Sequence, residues 1–229
     1  MRPNGSMTRQ APVRCRDRSR RSAEIPSAAL LLAALGLAVC GAPGEASQTA
    51  AAPPPDIAGT VHVCSSCHGP SGRSVSSTFP RLAGQQKDYL IAQLTAFRDH
   101  TRADPHAQTY MWGMAARLSN PTIAALAAYY SAQRPFPGTP DDSPAAAAGR
   151  KIYTEGIPAE GVPACIACHG PTGGGNSTIP RLAGQHAAYI ERQLEAFASK
   201  ARANEIMHQT SKNLTAEQIP DVAAYVASL

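Results

Sequence analysis

Apolar residues recur along this chain at helical spacing. Leu90, Leu94 and Phe97 fall at i, i+4 and i+7, one face of a helix, and Ile190, Leu194 and Phe197 repeat the pattern 100 residues later. Ile123, Leu126, Ala127 and Tyr130 outline a second amphipathic helix. Ser119 or Asn120 stands where its cap belongs, with Pro121 tolerated in the first turn. Thr215 and Gln218 have the spacing of a capping box ahead of the matching last helix, where Pro220 predicts a late start or a kink. No run alternates long enough to argue for a sheet. The pattern predicts an all-α fold.

These helices belong to a longer internal repeat. His68-Gly69-Pro70 matches His169-Gly170-Pro171, and Pro80-Arg81-Leu82-Ala83-Gly84-Gln85 recurs unchanged as residues 180–185. Tyr89 matches Tyr189, Leu118-Ser119 matches Leu214-Thr215, and Ala127-Ala128-Tyr129 matches Ala223-Ala224-Tyr225. The offset falls from 101 to 100 to 96, so a small deletion in each of two loops distinguishes the copies. Duplication of one domain accounts for this. Between the copies, the Pro-rich residues 135–144 suit neither a helix interior nor a central strand and read as a short, semi-stiff linker. The predicted organisation is a leader at 1–46, a first domain at 47–134, the linker, and a second domain at 145–229. Domains of roughly 85 residues have marginal cores of their own.

The leader reads differently from the rest. Seven arginines precede an apolar run of twelve, Ala28 to Val39, and small residues follow. This is the pattern of a secretory signal peptide, too short for a comfortable membrane span, with its best cleavage point after Ala46. Leu37-Ala38-Val39-Cys40 also resembles a bacterial lipobox, although Val39 is bulky before the cysteine, so a lipid anchor on Cys40 is the alternative. Cleavage removes seven arginines and three acids, and the formal charge of +5 becomes +1. No basic nucleic-acid-binding face is implied. The first domain keeps +3 and the second is neutral.

Four cysteines survive cleavage, and all lie in two Cys-x-x-Cys-His motifs: Cys64, Cys67 and His68, then Cys165, Cys168 and His169. Cysteines three apart share one face of a helical turn and can form thioethers to the two vinyl groups of a haem, while the next residue offers its imidazole to the iron. This is the c-type haem attachment signature. A disulfide pair, the plainer use of such cysteines in an exported protein, needs no histidine after it. The predicted cofactors are two haem c groups, each supplying apolar surface that a small domain lacks.

The second axial position decides the chemistry. After the leader only Met111, Met114 and Met207 remain. Met111 and Met207 each lie seven residues before the matched Leu118 and Leu214, whereas Met114 aligns with Thr210. Met111 and Met207 are therefore the expected thioether ligands. Methionine favours ferrous iron and closes the site to small ligands. Core filling is the ordinary alternative for a methionine. His100, His106, His186 and His208 compete as ligands, but none has a histidine at its repeat-equivalent position, and these, like His62, are expected at the surface. Pro80 and Pro180 are candidates to accept a hydrogen bond from the proximal imidazole. Arg81 and Arg181 can pair with haem propionates or stand in solvent, Gly84 and Gly184 suit helix starts or close packing, and Trp112 and the matched tyrosines read as core aromatics.

Taken together, the two Cys-x-x-Cys-His motifs, the PRLAGQ segments, the following Tyr…Leu…Phe helices and the Met…Leu-Ser/Thr endings resemble the cytochrome c4 family over residues 56 to 229. The resemblance implies two tandem class I cytochrome c domains, His68/Met111 and His169/Met207 ligation, support of the histidines by Pro80 and Pro180, and a periplasmic location. It implies transfer of electrons from a donor such as a cytochrome bc1-type complex or a dehydrogenase toward a terminal oxidase. The alternatives are an electron-transfer subunit of a flavocytochrome or dehydrogenase complex, and a dihaem peroxidase-type enzyme, which would need an open sixth site. The motif spacing is wrong for a zinc ribbon.

Overall fold

The computed structural model describes residues 51–54 and 56–229. The expectations for the leader, its cleavage point and Cys40 lie outside the described residues. The first repeat contains α1 (Ala58–His68), α2 (Lys87–Arg98), α3 (Trp112–Ala115) and α4 (Asn120–Ser131). The second contains α5 (Pro144–Glu155), α6 (Ile166–His169), α7 (Ala187–Ala198), α8 (Glu205–Ser211) and α9 (Gln218–Ser228). Among the described residues there is no strand, only two isolated β-bridges. The fold is all-α, two tandem domains of the same plan.

Each repeat buries the face that its periodicity marks. Leu90 packs with Val61, Leu126 and Tyr130, joining α1, α2 and α4. Ile190 and Leu194 pack with Ile152, Val222 and Val226, joining α5, α7 and α9. Ser119 caps α4, its hydroxyl accepting from the Thr122 N–H at 3.2 Å, which satisfies one of the helix's free donors. Thr215 and Gln218 form the reciprocal box, at 2.9 and 3.3 Å. Helix α9 starts late, at Gln218, so that Pro220 falls in the first turn, where its missing N–H costs nothing.

The copies differ at the motif helix and ahead of the methionines. In the first, the Cys-x-x-Cys-His motif ends the long helix α1; in the second, a loop with a 3₁₀ turn at Pro158–Glu160 separates α5 from the one-turn α6 that carries the motif. Ahead of the methionines, Asp104 and Asn204 correspond, yet Met111 follows seven residues after one and Met207 three after the other. Four extra residues turn a helix through about 400°, roughly 40° more than one revolution. The first repeat winds Ala107–Met111 as a π-turn, and wider i→i+5 winding absorbs such an excess.

The two repeats meet across a pseudo-twofold polar seam. Gln85 bonds both polar groups of Arg181, accepting from its N–H at 2.7 Å and donating to its carbonyl at 2.9 Å. Gln185 does the same to Arg81, at 2.9 and 3.0 Å. A second cluster places Arg102 and Arg202 side by side, each donating to the side-chain oxygens of both Gln93 and Gln193 at 2.6–2.8 Å. Each guanidinium lies over the phenylalanine of its own repeat, Phe97 or Phe197, at 4.6 and 4.5 Å. Arg202 also donates to the Tyr89 hydroxyl at 2.9 Å, and Arg102 to Asp104 at 2.9 Å. Burial opposes the charge on Arg102, but the oxygens of Tyr189, Tyr89 and Asp104 outweigh it and hold the group protonated. Tyr89 is thus a seam residue as well as a packing aromatic. The linker joins this seam: Phe136 is covered by the guanidiniums of Arg73 and Arg81, at 4.8 and 3.7 Å. Gly84 and Gly184 are close-packing residues, since a Cβ on either would run into Pro135 or the Phe136 carbonyl.

Gly149 lets α5 approach α9 so closely that a Cβ there would strike the Asp221 carbonyl. Gly149→Ala is expected to destabilise the protein by about 1–3 kcal/mol, the cost of overpacking, as a lower midpoint in chemical denaturation. Asp104 bonds the buried Arg102 and is the one carboxylate among the described residues to bond either arginine of the pair. Asp104→Ala should cost about 3 kcal/mol by the same measurement, and Asp104→Asn less, since Asn204 already occupies the equivalent position.

Candidate functional site

Each motif histidine is buried and held by a hydrogen bond from its ring. His68 and His169 are each 7% exposed. Nδ1 of His68 donates to the Pro80 carbonyl at 2.8 Å, and Nδ1 of His169 to the Pro180 carbonyl at 3.1 Å. A carbonyl can only accept, so both rings carry their proton on Nδ1 and keep the Nε2 lone pair free. Burial lowers both pKa values, which favours that neutral form. The proline loops are pinned from behind. The N–H groups of Leu82 and Ala83 donate to the Gly72 carbonyl at 2.8 and 3.1 Å, and those of Leu182 and Ala183 to Gly173 at 2.7 and 3.0 Å. Gly69 and Gly170 end the motif helices at φ 75° and 78° with ψ near 165°, an extended positive-φ conformation open to glycine that releases the chain directly after the histidine.

All four motif cysteines are free thiols, Cys67 and Cys168 exposed and Cys64 and Cys165 half-buried. Burial pushes the Cys165 thiol up to about 11 and raises Cys64 as well. Each inner cysteine adjoins a buried tyrosine. Tyr130 comes from α4 in the first repeat and Tyr153 from α5 in the second. The Tyr153 hydroxyl donates to the Gly170 carbonyl at 2.6 Å. That of Tyr130 lies against Cys64 without a hydrogen-bond partner among the described residues.

Met207 is half-buried at the third position of α8 and packs on the same core cluster as Cys165. Met111 is half-buried at the end of the π-turn, against Phe97, Ala107 and Ala115. Its neighbour Tyr110 meets Phe79 edge-on at 5.3 Å, and Phe79 meets His68 at 6.2 Å. Met114 is 57% exposed. The competing histidines are engaged elsewhere. His100 stacks on Trp112 at 4.1 Å and His106 abuts Tyr110. His106, His186 and His208 are half-buried instead of standing at the surface as expected, whereas His62 and His100 are exposed. Nε2 of His186 donates across the seam to the Ser74 carbonyl at 3.1 Å, and Nδ1 of His208 to Phe197 at 2.9 Å.

The family model described as cytochrome c matches residues 58–132 and 146–229. Cytochrome c-552 of Acidithiobacillus ferridurans is 43% identical over 202 residues, 87% of this chain and 86% of that protein. The thiosulfate dehydrogenase electron acceptor of Thiomonas intermedia (strain K12) is 39% identical over 207 residues, 87% of this chain and 89% of that protein. The solved cytochrome c4 of Acidithiobacillus ferrooxidans is 45% identical and superimposes with a TM-score of 0.69, covering 72% of this chain and 98% of that one. This chain belongs to the cytochrome c4 family.

As a cytochrome c4 family member it is a dihaem electron-transfer protein with two haem c groups. The residues present fit that cofactor. Each repeat offers two unpaired thiols one helical turn apart and an imidazole whose second nitrogen is already committed. Arg81 and Arg181 were candidates for haem propionates or for solvent. Both are half-buried, and Arg81 donates to the carbonyls of Ser74 and Gly184.

Periodicity and motifs missed the seam residues Gln85, Gln93, Arg102 and their partners in the other repeat. The signal for them was the recurrence itself, since Gln, Gln and Arg stand at the equivalent positions of both copies.

Burial, with smaller contributions from Cys165 and Tyr225, pushes the Tyr153 hydroxyl up to about 12. A pKa raised above the unfolded value of about 10 adds stability that is complete below that pH and is lost as pH rises through the folded value. Melting temperatures recorded from pH 9 to 12 should fall over this window. Tyr153→Phe should flatten the fall.

Proposed function

We propose that this protein is a periplasmic carrier, exported by its leader and cleaved after Ala46, and that it is not an enzyme. Its two sites are His68 with Met111 and His169 with Met207, with Cys64, Cys67, Cys165 and Cys168 carrying the thioethers. The observation that supports this reading is that each repeat holds a buried histidine on the Pro80 or Pro180 carbonyl and contains a half-buried methionine at the matching position of the chain, while His186 and His208 are hydrogen-bonded to other carbonyls. Haem c supplies a one-electron iron couple when bound. The proline carbonyls fix the imidazole tautomer, His68 and His169 would each offer Nε2 to an iron, and Met111 and Met207 would supply the thioether sulfurs that hold it in a low-spin, electron-transferring state. Iron held between a histidine and a methionine suits outer-sphere electron transfer. Electrons enter from a cytochrome bc1-type complex or a dehydrogenase and leave to a terminal oxidase, through contacts on the order of 1,200 Å² or less. Among the described residues no helix is long and apolar enough to cross a membrane; membrane association through a partner or a lipidated Cys40 is part of this reading.

The second reading is an electron-accepting partner of one dehydrogenase, favoured by the likeness to the Thiomonas intermedia thiosulfate dehydrogenase electron acceptor. Co-purification with a dehydrogenase at fixed stoichiometry would decide for it.

The purified protein should contain two covalent haems and show the weak far-red band of methionine-to-ferric-iron ligation. Met111→Ala and Met207→Ala should each abolish about half of that band and open one haem to cyanide. A high-spin ferric haem that binds cyanide in the unmodified protein would overturn the carrier reading.

A further inference from the structure

The peptide group between Pro80 and Arg81 is bonded at both ends. Its oxygen accepts from His68 Nδ1 at 2.8 Å, and its N–H donates across the seam to Gln185 Oε1 at 2.9 Å. The Pro180–Arg181 peptide does the same in reverse, accepting from His169 Nδ1 at 3.1 Å and donating to Gln85 Oε1 at 2.7 Å. Both glutamines are buried, 7% and 6% exposed. Each is held by further bonds: Nε2 donates to the opposite arginine carbonyl, and Oε1 also accepts from the next amide of its own chain segment. Each motif histidine is therefore two hydrogen bonds and one peptide away from a side chain of the other repeat.

We infer that Gln85 and Gln185 are positioning residues for the haem of the opposite repeat, setting how strongly its histidine donates to iron. The inference rests on the His68 and His169 ligation proposed above. A peptide whose N–H is hydrogen-bonded shifts charge through its partial double bond to its oxygen and becomes a stronger acceptor. A stronger acceptor draws the Nδ1 proton outward and leaves Nε2 richer in electrons. An electron-rich ligand favours ferric iron. Gln185 thus lowers the electron affinity of the first repeat's haem, and Gln85 that of the second. The docking of the repeats becomes part of the tuning of both centres.

The test uses the holoprotein with Gln185→Met and Gln85→Met, neutral exchanges of similar volume. The readouts are the midpoint potential of each haem, assigned by NMR, and the Nδ1–H resonances of His68 and His169 in the diamagnetic ferrous state. Gln185→Met should move the His68 resonance toward weaker hydrogen bonding and favour reduction of the first repeat's haem about threefold, about 28 mV at 59 mV per tenfold for one electron. The second repeat's haem should move less. Gln85→Met should give the mirror image. As a second variant, Gln185→Glu keeps a stronger acceptor and should disfavour reduction of the first haem more than of the second. Shifts confined to the haem of the mutated repeat, equal shifts at both, or none with the ferric ligation spectrum intact would overturn the relay. Absence of histidine ligation in the unmodified protein would overturn the ligation reading itself.

Discussion

The structure depends on one hydrogen bond made twice, from the Nδ1–H of a buried histidine to a proline carbonyl. A free imidazole can turn about two bonds and carry its proton on either nitrogen. Here both freedoms are removed. The bond requires the proline loop to stand over the motif helix, and that loop is tied back to Gly72 or Gly173 by paired amide bonds. Proline suits the position because its ring restricts the backbone that aims the carbonyl. The helices, their apolar faces and the positive-φ glycines after each histidine bring this acceptor to its donor.

The seam follows from the same loops. The residues after each proline carbonyl are the ones that the opposite glutamine holds, so the surface that orients a histidine is also the surface on which the domains meet. A polar seam of this kind needs every group satisfied. Reciprocal pairing achieves that for Gln85 and Gln185, because an amide side chain bonds a backbone N–H and carbonyl together. The arginine cluster is less balanced. Two guanidiniums share two glutamine oxygens, but only Arg102 has a carboxylate partner among the described residues, and the tyrosine hydroxyls and phenylalanine faces supply the remaining compensation. Burial opposes ionisation of Tyr89, but Arg202 and Arg102 outweigh it and draw the hydroxyl below its ordinary value.

Duplication has left two sites of one design with different supports. A buried tyrosine adjoins the inner cysteine in both, but it comes from the last helix in one repeat and the first helix in the other. The position equivalent to Tyr130 is Val226, so the second repeat fills the space from the opposite side. The π-turn before Met111 and the regular helix at Met207 are likewise two routes to a methionine in the same register. Four residues were added or lost there: the first repeat is helical over 105–115 with a π-turn inside it, the second over 205–211 only.

Local patterns carried much of this protein in the sequence itself. Periodicity located the helices, the capping residues located their starts, and identical spacing exposed the duplication and the Cys-x-x-Cys-His motifs. These are short-range properties, set by side-chain spacing along one element. The His–Pro bond was legible as a candidate because its partners recur 11 and 12 residues apart in the two copies. The pairing of Gln85 with Arg181, the adjacency of two buried arginines and the half-burial of His186 and His208 were not legible. They join residues about 100 positions apart or fix a ring by its surroundings, and a single repeat contains no trace of the surface its copy will cover. Spacing along the chain determined which residues each domain offers to a haem. Docking of the two domains decided what stands behind those residues, because a hydrogen bond across a seam exists only after both faces have formed.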